Sequence, residues 1–261
     1  MHSAPIPTKT LLFVDGRKGG PGKSMTAMAL LEYLQTRKDV RSYDFEGETG
    51  DLAVRYGATP ILPDPMGRLG GFAEVLDTLM SPNAGINLAV VDVGAPAGDR
   101  IEAFLDELGA ADLARAGQLQ ICFLWVCGRH RRSFLALDAA MRHWTDRGIP
   151  FKLSLVVNEG LTQEFSLIER SPPVQRILSQ SVQLARLPAL EVESAMEAEA
   201  INASFSSYIE MQDFQGAAIS FSRRMAVRAW LQKCQAAFRQ ISFLSDLVRM
   251  PAEKAAEEVL A

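Results

Sequence analysis

The chain has 261 residues, 48% of them hydrophobic and 22% charged, with a net charge of −4. That length fits one large α/β domain that can bury a core without disulfide or metal staples. No apolar run approaches the ~20 residues of a membrane span, and the acidic balance excludes a global pull toward nucleic acid, so any DNA contact must come from a local patch.

The opening MHSAPIPTKT lacks a leader-length apolar stretch, and no signal peptide is expected. TLLFVD (10–15) is a short apolar run ending at glycines and reads as a buried strand. SMTAMALLEYLQTRK (24–38) follows with helix-forming residues and an apolar stripe through Met28, Leu31 and Leu34. VRSYDF (40–45) is a weaker strand and NLAVVDV (87–93) a strong one. LQICFLWV (119–126) and FKLSLVV (151–157) are continuous apolar runs of strand length, and SVQLARLP (181–188) is the last predicted strand. Helical stretches lie between most of these, at 99–115 and 132–147 among others. Cys122, Cys127 and Cys234 have neither zinc-site nor CxxC spacing and read as reduced, buried thiols of a cytoplasmic protein.

Strands alternating with helices, and apolar along their whole length, predict an α/β fold: a doubly wound, mostly parallel sheet flanked by helices, with a helical C-terminal segment. Strands are expected to stop at about residue 190. Residues 1–250 read as a single domain, 216–248 as one long amphipathic helix or a broken pair, and 251–261 as a frayed acidic tail.

The chemistry-bearing stretch is GRKGGPGKSMTA (16–27). Glycines after a buried strand and before a helix let the backbone approach a phosphate, and the helix N-terminus aims free N–H groups at the same anion. Lys23 would then reach the β and γ phosphates of a nucleotide, and the Ser24 hydroxyl would ligate Mg²⁺. The strict pattern G-x-x-x-x-G-K-[ST] fails, because its first glycine falls on Arg17. A phosphate loop of this kind also needs an acid at the end of a neighbouring strand to hold the magnesium shell. LAVVDVGAP supplies Asp92 there.

The pattern that does fit is K-G-G-x-G-K-[ST], from Lys18 to Ser24. Here the sequence resembles the ParA/MinD family of deviant Walker-A ATPases, over about residues 8 to 195. The resemblance implies ATP and Mg²⁺ as cofactors, with Lys18, Gly19, Gly20, Gly22, Lys23, Ser24 and Met25 around the phosphates and Ser24 and Asp92 on the metal. It implies that Lys18 reaches across a dimer interface to the partner's nucleotide. Two departures stand out: Met25 replaces the usual Ser or Thr, and Pro21 removes a backbone N–H from the loop. The family's Asp-x-Asp pair maps onto YDFEGETGD, giving Asp44 as the water-positioning carboxylate, Glu46 as second and Asp51 beyond, without the Pro-Gln that usually follows. Base recognition maps onto Asn158 and Pro188.

The implied engine is a homodimer that sandwiches two ATP molecules and dissolves on slow hydrolysis stimulated by a partner protein. Its output is suggested by RRMAVRAWLQKCQAAFRQI (223–241), where Val227, Trp230, Leu231, Cys234, Phe238 and Ile241 share one helical face. Arg224, Arg228 and Arg239 are expected exposed on the opposite side, as a stripe for nonspecific DNA phosphates, with GRHRR (128–132) as a second basic cluster. A solvated face that docks a protein partner stays open as the alternative. Membrane attachment in the MinD manner is disfavoured by Glu253, Glu257 and Glu258 in the last residues. A nucleotide-dependent scaffold with little or no hydrolysis is the other reading, given Met25. The sequence does not choose between DNA segregation, cargo positioning and conjugative transfer.

Overall fold

The computed structural model describes residues 9–17, 20, 22–62, 71–94, 98–127, 131–161, 165, 169–180 and 182–249. Lys18, Gly19, Pro21, the 128–130 part of the basic cluster, the side chains of Arg131 and Arg132 and the acidic tail lie outside the described residues.

Seven strands form one parallel sheet. β1 (Lys9–Asp15) lies in its middle, with β4 (Leu88–Asp92), β2 (Val40–Asp44) and the two-residue β3 (Thr59–Pro60) on one side. β5 (Leu119–Cys127), β6 (Phe151–Asn158) and β7 (Gln183–Leu187) follow on the other, giving the order β3-β2-β4-β1-β5-β6-β7. Each parallel crossover needs a connection long enough to return the chain, and helices supply it. These are α1 (Lys23–Leu34), α2 (Asp51–Tyr56), α3 (Phe72–Met80), α4 (Gly98–Glu107), α5 (Ala110–Arg115), α6 (Arg131–Asp146) and α7 (Pro172–Leu178). The predicted helical stretch 99–115 is broken between α4 and α5 at Gly109, whose φ of 70° no helix interior accepts.

The apolar strands bury both faces, and successive residues alternate between two cores. Leu11, Phe13, Val91, Phe123 and Trp125 pack under α3–α7, whereas Leu12, Val14, Val90, Leu124 and Val126 pack under α1 and the C-terminal helices. The three cysteines are buried and free, and burial pushes the Cys122 thiol up to about 12.

After β7 come α8 (Val192–Ile201), α9 (Phe205–Glu210), α10 (Phe221–Arg239) and α11 (Ser242–Arg249). The segment 216–248 is thus a broken pair of helices, preceded by a short antiparallel hairpin of β8 (Asp213–Phe214) and β9 (Ala217–Ala218) that corrects the expected end of strands near 190. Val227, Trp230, Leu231, Cys234 and Phe238 form the buried face of α10, as its periodicity predicts. Phe238 meets Tyr33 of α1, and Trp230 meets Phe205 of α9. Glu32, 4% exposed on α1, joins these layers. Its carboxylate accepts the Tyr56 hydroxyl of α2 at 2.9 Å, the Ser206 N–H of α9 at 2.9 Å and the Ser206 hydroxyl. A buried charge is tolerated because donors from two other helices surround it. Among the described residues no helix is long and apolar enough to cross a membrane.

Phe123 lies stacked between Trp144 (ring centroids 4.1 Å) and Phe13 (5.2 Å) with no exposed surface. Removing that ring loses its transfer free energy and leaves a cavity, ~3–5 kcal/mol for Phe→Ala. Phe123→Ala should therefore lower the thermal midpoint by about 10 °C, measured by calorimetry, with Cys122→Ala on the opposite face losing much less.

Candidate functional site

The parallel register brings the C-terminal ends of the central strands to one edge of the sheet. Asp44 of β2 is opposite Asp92 of β4, Asp92 is opposite Val14 of β1, and Asp15 is opposite Trp125 of β5. Asn158 of β6 is opposite Leu187 of β7. The loop after Asp15 opens into this row, as expected for an open α/β sheet.

Gly20 and Gly22 have φ of 81° and 87°, the left-handed region that glycine enters without strain. At Gly22 a second constraint applies, because a Cβ there would lie 2.2 Å from the Asn158 side-chain amide nitrogen. Gly22 caps α1 and its carbonyl accepts both the N–H and the hydroxyl of Thr26 at 2.9 Å. Lys23 begins the helix and is only 6% exposed. Its charge acts on the carboxyls of both Asp15 and Asp92. Ser24 is half-buried and hydrogen-bonds Asp92. Met25 packs against the apolar core on the α1 side of the sheet, offering no polar atom where the family pattern has a hydroxyl.

Asp92 is 2% exposed, and its Oδ1 has no hydrogen-bond partner. Burial pushes its carboxyl up to about 7, aided by the nearby charges of Asp44 and Glu46 and opposed by the Ser24 hydrogen bond and Lys23. This buried, under-satisfied carboxylate beside a hydroxyl is a donor set suited to a hard divalent cation such as Mg²⁺. Asp44 is fully buried, with Oδ1 accepting the Glu46 N–H (2.9 Å) and Oδ2 the Ala53 N–H (3.0 Å). It thereby ties the loop 45–50 and α2 to the end of β2. Gly50 is required there, since its Cβ would lie 2.2 Å from Asp44 Oδ2. Glu46 is exposed beside this pair, and Asp51 is exposed at the first residue of α2. Phe45 packs on Gly94, where a Cβ would come within 3.1 Å of its ring, so the segments after β2 and β4 touch.

Asn158 accepts the Gly160 N–H through Oδ1 at 3.0 Å, while its amide group faces Gly22. The Pro188 carbonyl accepts the Trp230 indole N–H at 2.8 Å. The loop after β7 is therefore held by α10, a link that sequence position does not reveal.

The arginines of α10 differ from the expected exposed stripe. Arg224 is half-buried: it lies one helical turn before the buried Val227, donates to the Ile209 carbonyl at 3.0 Å and lies over the Phe221 ring. Arg228 is exposed and pairs with Glu210 at 2.9 Å, and Arg223 pairs with Glu193 at 2.6 Å and Glu197 at 3.5 Å. Arg239 is exposed at the end of the helix. Acids from α8 and α9 thus offset much of the local positive charge.

Sequence reasoning gave no role to Asp15, Arg17 or Glu32, and placed Trp230 only on the apolar face of its helix. Asp15 is fully buried, burial pushes its carboxyl up, and its Oδ1 accepts the N–H groups of Gly16 (2.6 Å) and Arg17 (2.9 Å). An acid directly before the first glycine was the available signal.

No family profile and no curated protein matches the chain. Similar solved structures include MinD from Aquifex aeolicus, at 12% identity with 88% of this chain and 96% of that one covered and a TM-score of 0.46. A ParA family ATPase from Chlorobium tepidum is 12% identical over 92% of this chain and 99% of its own, with a TM-score of 0.44. An ATP complex of a McdA variant from Cyanothece is 15% identical over 87% and 96%, with a TM-score of 0.41.

A carboxyl whose folded value is about 7 against an ordinary 3.8 makes the folded state bind its proton more tightly than the unfolded chain. Stability is then lost as pH rises from about 4 to 7, and the full penalty stands above 7. Asp92→Asn should therefore raise the thermal midpoint of the nucleotide- and magnesium-free protein by about 5 °C or more at pH 8. The gain should shrink toward nothing as pH falls to 4. A pH-independent difference in calorimetry would rule out titration of this carboxyl as its cause.

Proposed function

We propose that the chain is a ParA-like ATPase that binds Mg-ATP, forms a nucleotide-sandwich homodimer and uses slow hydrolysis to switch its binding to nonspecific DNA and to a partner protein. The reading serves DNA segregation, cargo positioning or conjugative transfer equally. The observation that carries it is Ser24, at the start of a helix behind two left-handed glycines, hydrogen-bonded to a buried carboxylate with an unpartnered oxygen.

In this reading the N–H groups at the start of α1 and the buried Lys23 hold the β and γ phosphates. Ser24 and Asp92 hold Mg²⁺, which when bound screens the phosphate charge during transfer to water. Asp44 orients the attacking water. An ionised carboxylate has about four lone-pair sites, so its two backbone bonds leave capacity for a further donor. Glu46, exposed beside it, is the second acid. Asn158 beside Gly22 and the backbone past Pro188 contact the base. Lys18 neutralises phosphate charge on the partner's nucleotide, as an arginine finger does, and Gly19 completes the loop. With Met25 apolar, the α-phosphate loses a hydroxyl contact, consistent with slow turnover and modest affinity.

Lys23→Ala should abolish Mg-ATP binding with the fold intact, whereas Lys18→Ala should still bind ATP but neither dimerise nor hydrolyse it. Titration with a fluorescent ATP analogue, sedimentation and phosphate release separate the two. Unchanged affinity in folded Lys23→Ala would refute the phosphate-loop reading, and ATP-dependent dimerisation without turnover in the wild type would favour the scaffold.

For DNA, the exposed Arg228 and Arg239 are the principal contacts, with Arg224 setting the helix against α9. The Arg228–Glu210 pair is exposed and worth ~0–1 kcal/mol, so a DNA phosphate can replace Glu210. Two arginines per protomer become four in a dimer, and Arg228→Ala/Arg239→Ala should weaken binding of the ATP-bound protein at least tenfold and flatten its salt dependence. Equal affinity and slope in the double variant would assign this face to a protein partner instead.

A further inference from the structure

Arg17 occupies the position where the strict phosphate-loop pattern has its first glycine, and it has a φ of 45°. That is left-handed backbone, which an L-residue with a long side chain rarely adopts. Such a conformation persists only where the surroundings over-determine it, and here they do. Asp15 Oδ1 accepts the N–H groups of both Gly16 and Arg17, while the Gly16 carbonyl accepts the Ser133 hydroxyl at 3.1 Å. Ser133 in turn accepts the Trp125 indole N–H at 3.2 Å. The Arg17 guanidinium lies over the same Trp125 ring, 5.8 Å from its centroid, and donates to Glu102 of α4 at 2.8 Å. Both ends of that ion pair are largely covered, with 16% and 26% of the side chains exposed.

The partners are informative. Glu102 sits on the helix that follows Asp92's strand, 85 residues away in the chain, and Trp125 lies on the neighbouring strand opposite Asp15. Arg17 is therefore fixed jointly by β1, β5 and α4, and the next residue is Lys18. Glycine would allow the same turn and keep its hydrogen bonds to Asp15 and Ser133, but it would lose the side-chain tie to Glu102 and Trp125.

We propose that Arg17 is a positioning residue: its pairing with Glu102 across Trp125 locks the left-handed turn immediately before Lys18, the residue that the reading above assigns to the partner's nucleotide. The inference rests on the phosphate-loop reading above and adds a residue to it. The side-chain anchor links Arg17 directly to α4, the helix that follows the strand of Asp92. The Lys23 end of the loop has its own supports, in Gly22 against Asn158 and Thr26 on the Gly22 carbonyl. Loss of the Arg17 anchor should therefore spare ground-state binding of the nucleotide and affect the step that needs Lys18.

The test uses the full chain with Arg17→Gly, Arg17→Lys, Glu102→Gln and the Arg17→Gly/Glu102→Gln double variant. Mg-ATP affinity, ATP-dependent dimerisation by sedimentation, kcat and KM are measured. Arg17→Gly and Glu102→Gln should keep Mg-ATP affinity within about threefold and KM unchanged, while kcat and the dimerisation constant each fall about tenfold. A tenfold loss corresponds to about 1.4 kcal/mol. The double variant should be no worse than either single one, because both break the same contact, and Arg17→Lys, which keeps the charge, should recover part of the loss. Wild-type kcat and dimerisation in Glu102→Gln, or a loss confined to KM, would overturn the proposal alone. A wild-type chain that binds no Mg-ATP would overturn the phosphate-loop reading and this proposal with it.

Discussion

Three carboxylates lie side by side at the ends of adjacent strands, and the site is organised around that fact. Asp15 and Asp44 are fully buried and Asp92 nearly so, with the buried Lys23 ammonium near two of them. Burying a carboxylate costs several kcal/mol unless donors or cations offset it. Each of the three is handled differently. Asp15 receives the first two N–H groups of the loop that follows it, and Asp44 receives N–H groups from its own loop and from α2. Asp92 has one hydroxyl partner and an oxygen with none. Asp15 and Asp44 thus shape loops, with Asp15 Oδ2 also lacking a hydrogen-bond partner and Asp44 keeping lone-pair capacity, whereas the partner of Asp92 is a side-chain hydroxyl in place of backbone N–H groups. Burial and neighbouring negative charge raise its carboxyl, which is the environment in which a cation gains most by binding.

The C-terminal helical layer supports two walls of this site. One support runs through α2, whose Ala53 N–H bonds Asp44 while Arg55 donates to the Ala203 carbonyl at 2.9 Å and Tyr56 bonds Glu32. Tyr56 also accepts the Phe205 N–H, so the start of α9 is capped by residues of α1 and α2 together. The other support is Trp230 on the Pro188 carbonyl. Helix α10 therefore touches the loop after β7 directly and α2 through α9. The exposed face of α10 thus has a continuous set of contacts to both.

How much of this the sequence carried follows from the range of the interactions involved. The long strands were legible because parallel strands bury both faces and their apolar runs are unbroken. Asp92 was legible because it ends such a run, and the α10 core face because its period is helical. The two-residue β3 and the β8–β9 hairpin are too short to carry any periodicity. The arginine stripe departs from expectation, at Arg224 and in its net charge, for a different reason. The sequence of 223–241 by itself omits Glu193, Glu197 and Glu210, which lie on other helices and meet Arg223 and Arg228 only in the fold. Local charge is a property of the surface, and the surface draws on three helices here.

The same distinction explains the glycine-rich loop after β1. Its glycines could be read locally, since a left-handed turn next to a helix start needs them. Arg17 could not, because a long cation in a glycine position breaks the local rule, and what permits it lies on β5 and α4. Such breaks gather where structure is specified from a distance. Met25, apolar where a hydroxyl was expected, is accommodated likewise by the core beneath α1. A loop built on glycine alone takes its shape from backbone freedom and its ligand. Here Gly16 and Arg17, at the start of the loop, are fixed by Asp15, Ser133, Trp125 and Glu102 without any ligand, which would reduce the ordering that a ligand must impose there.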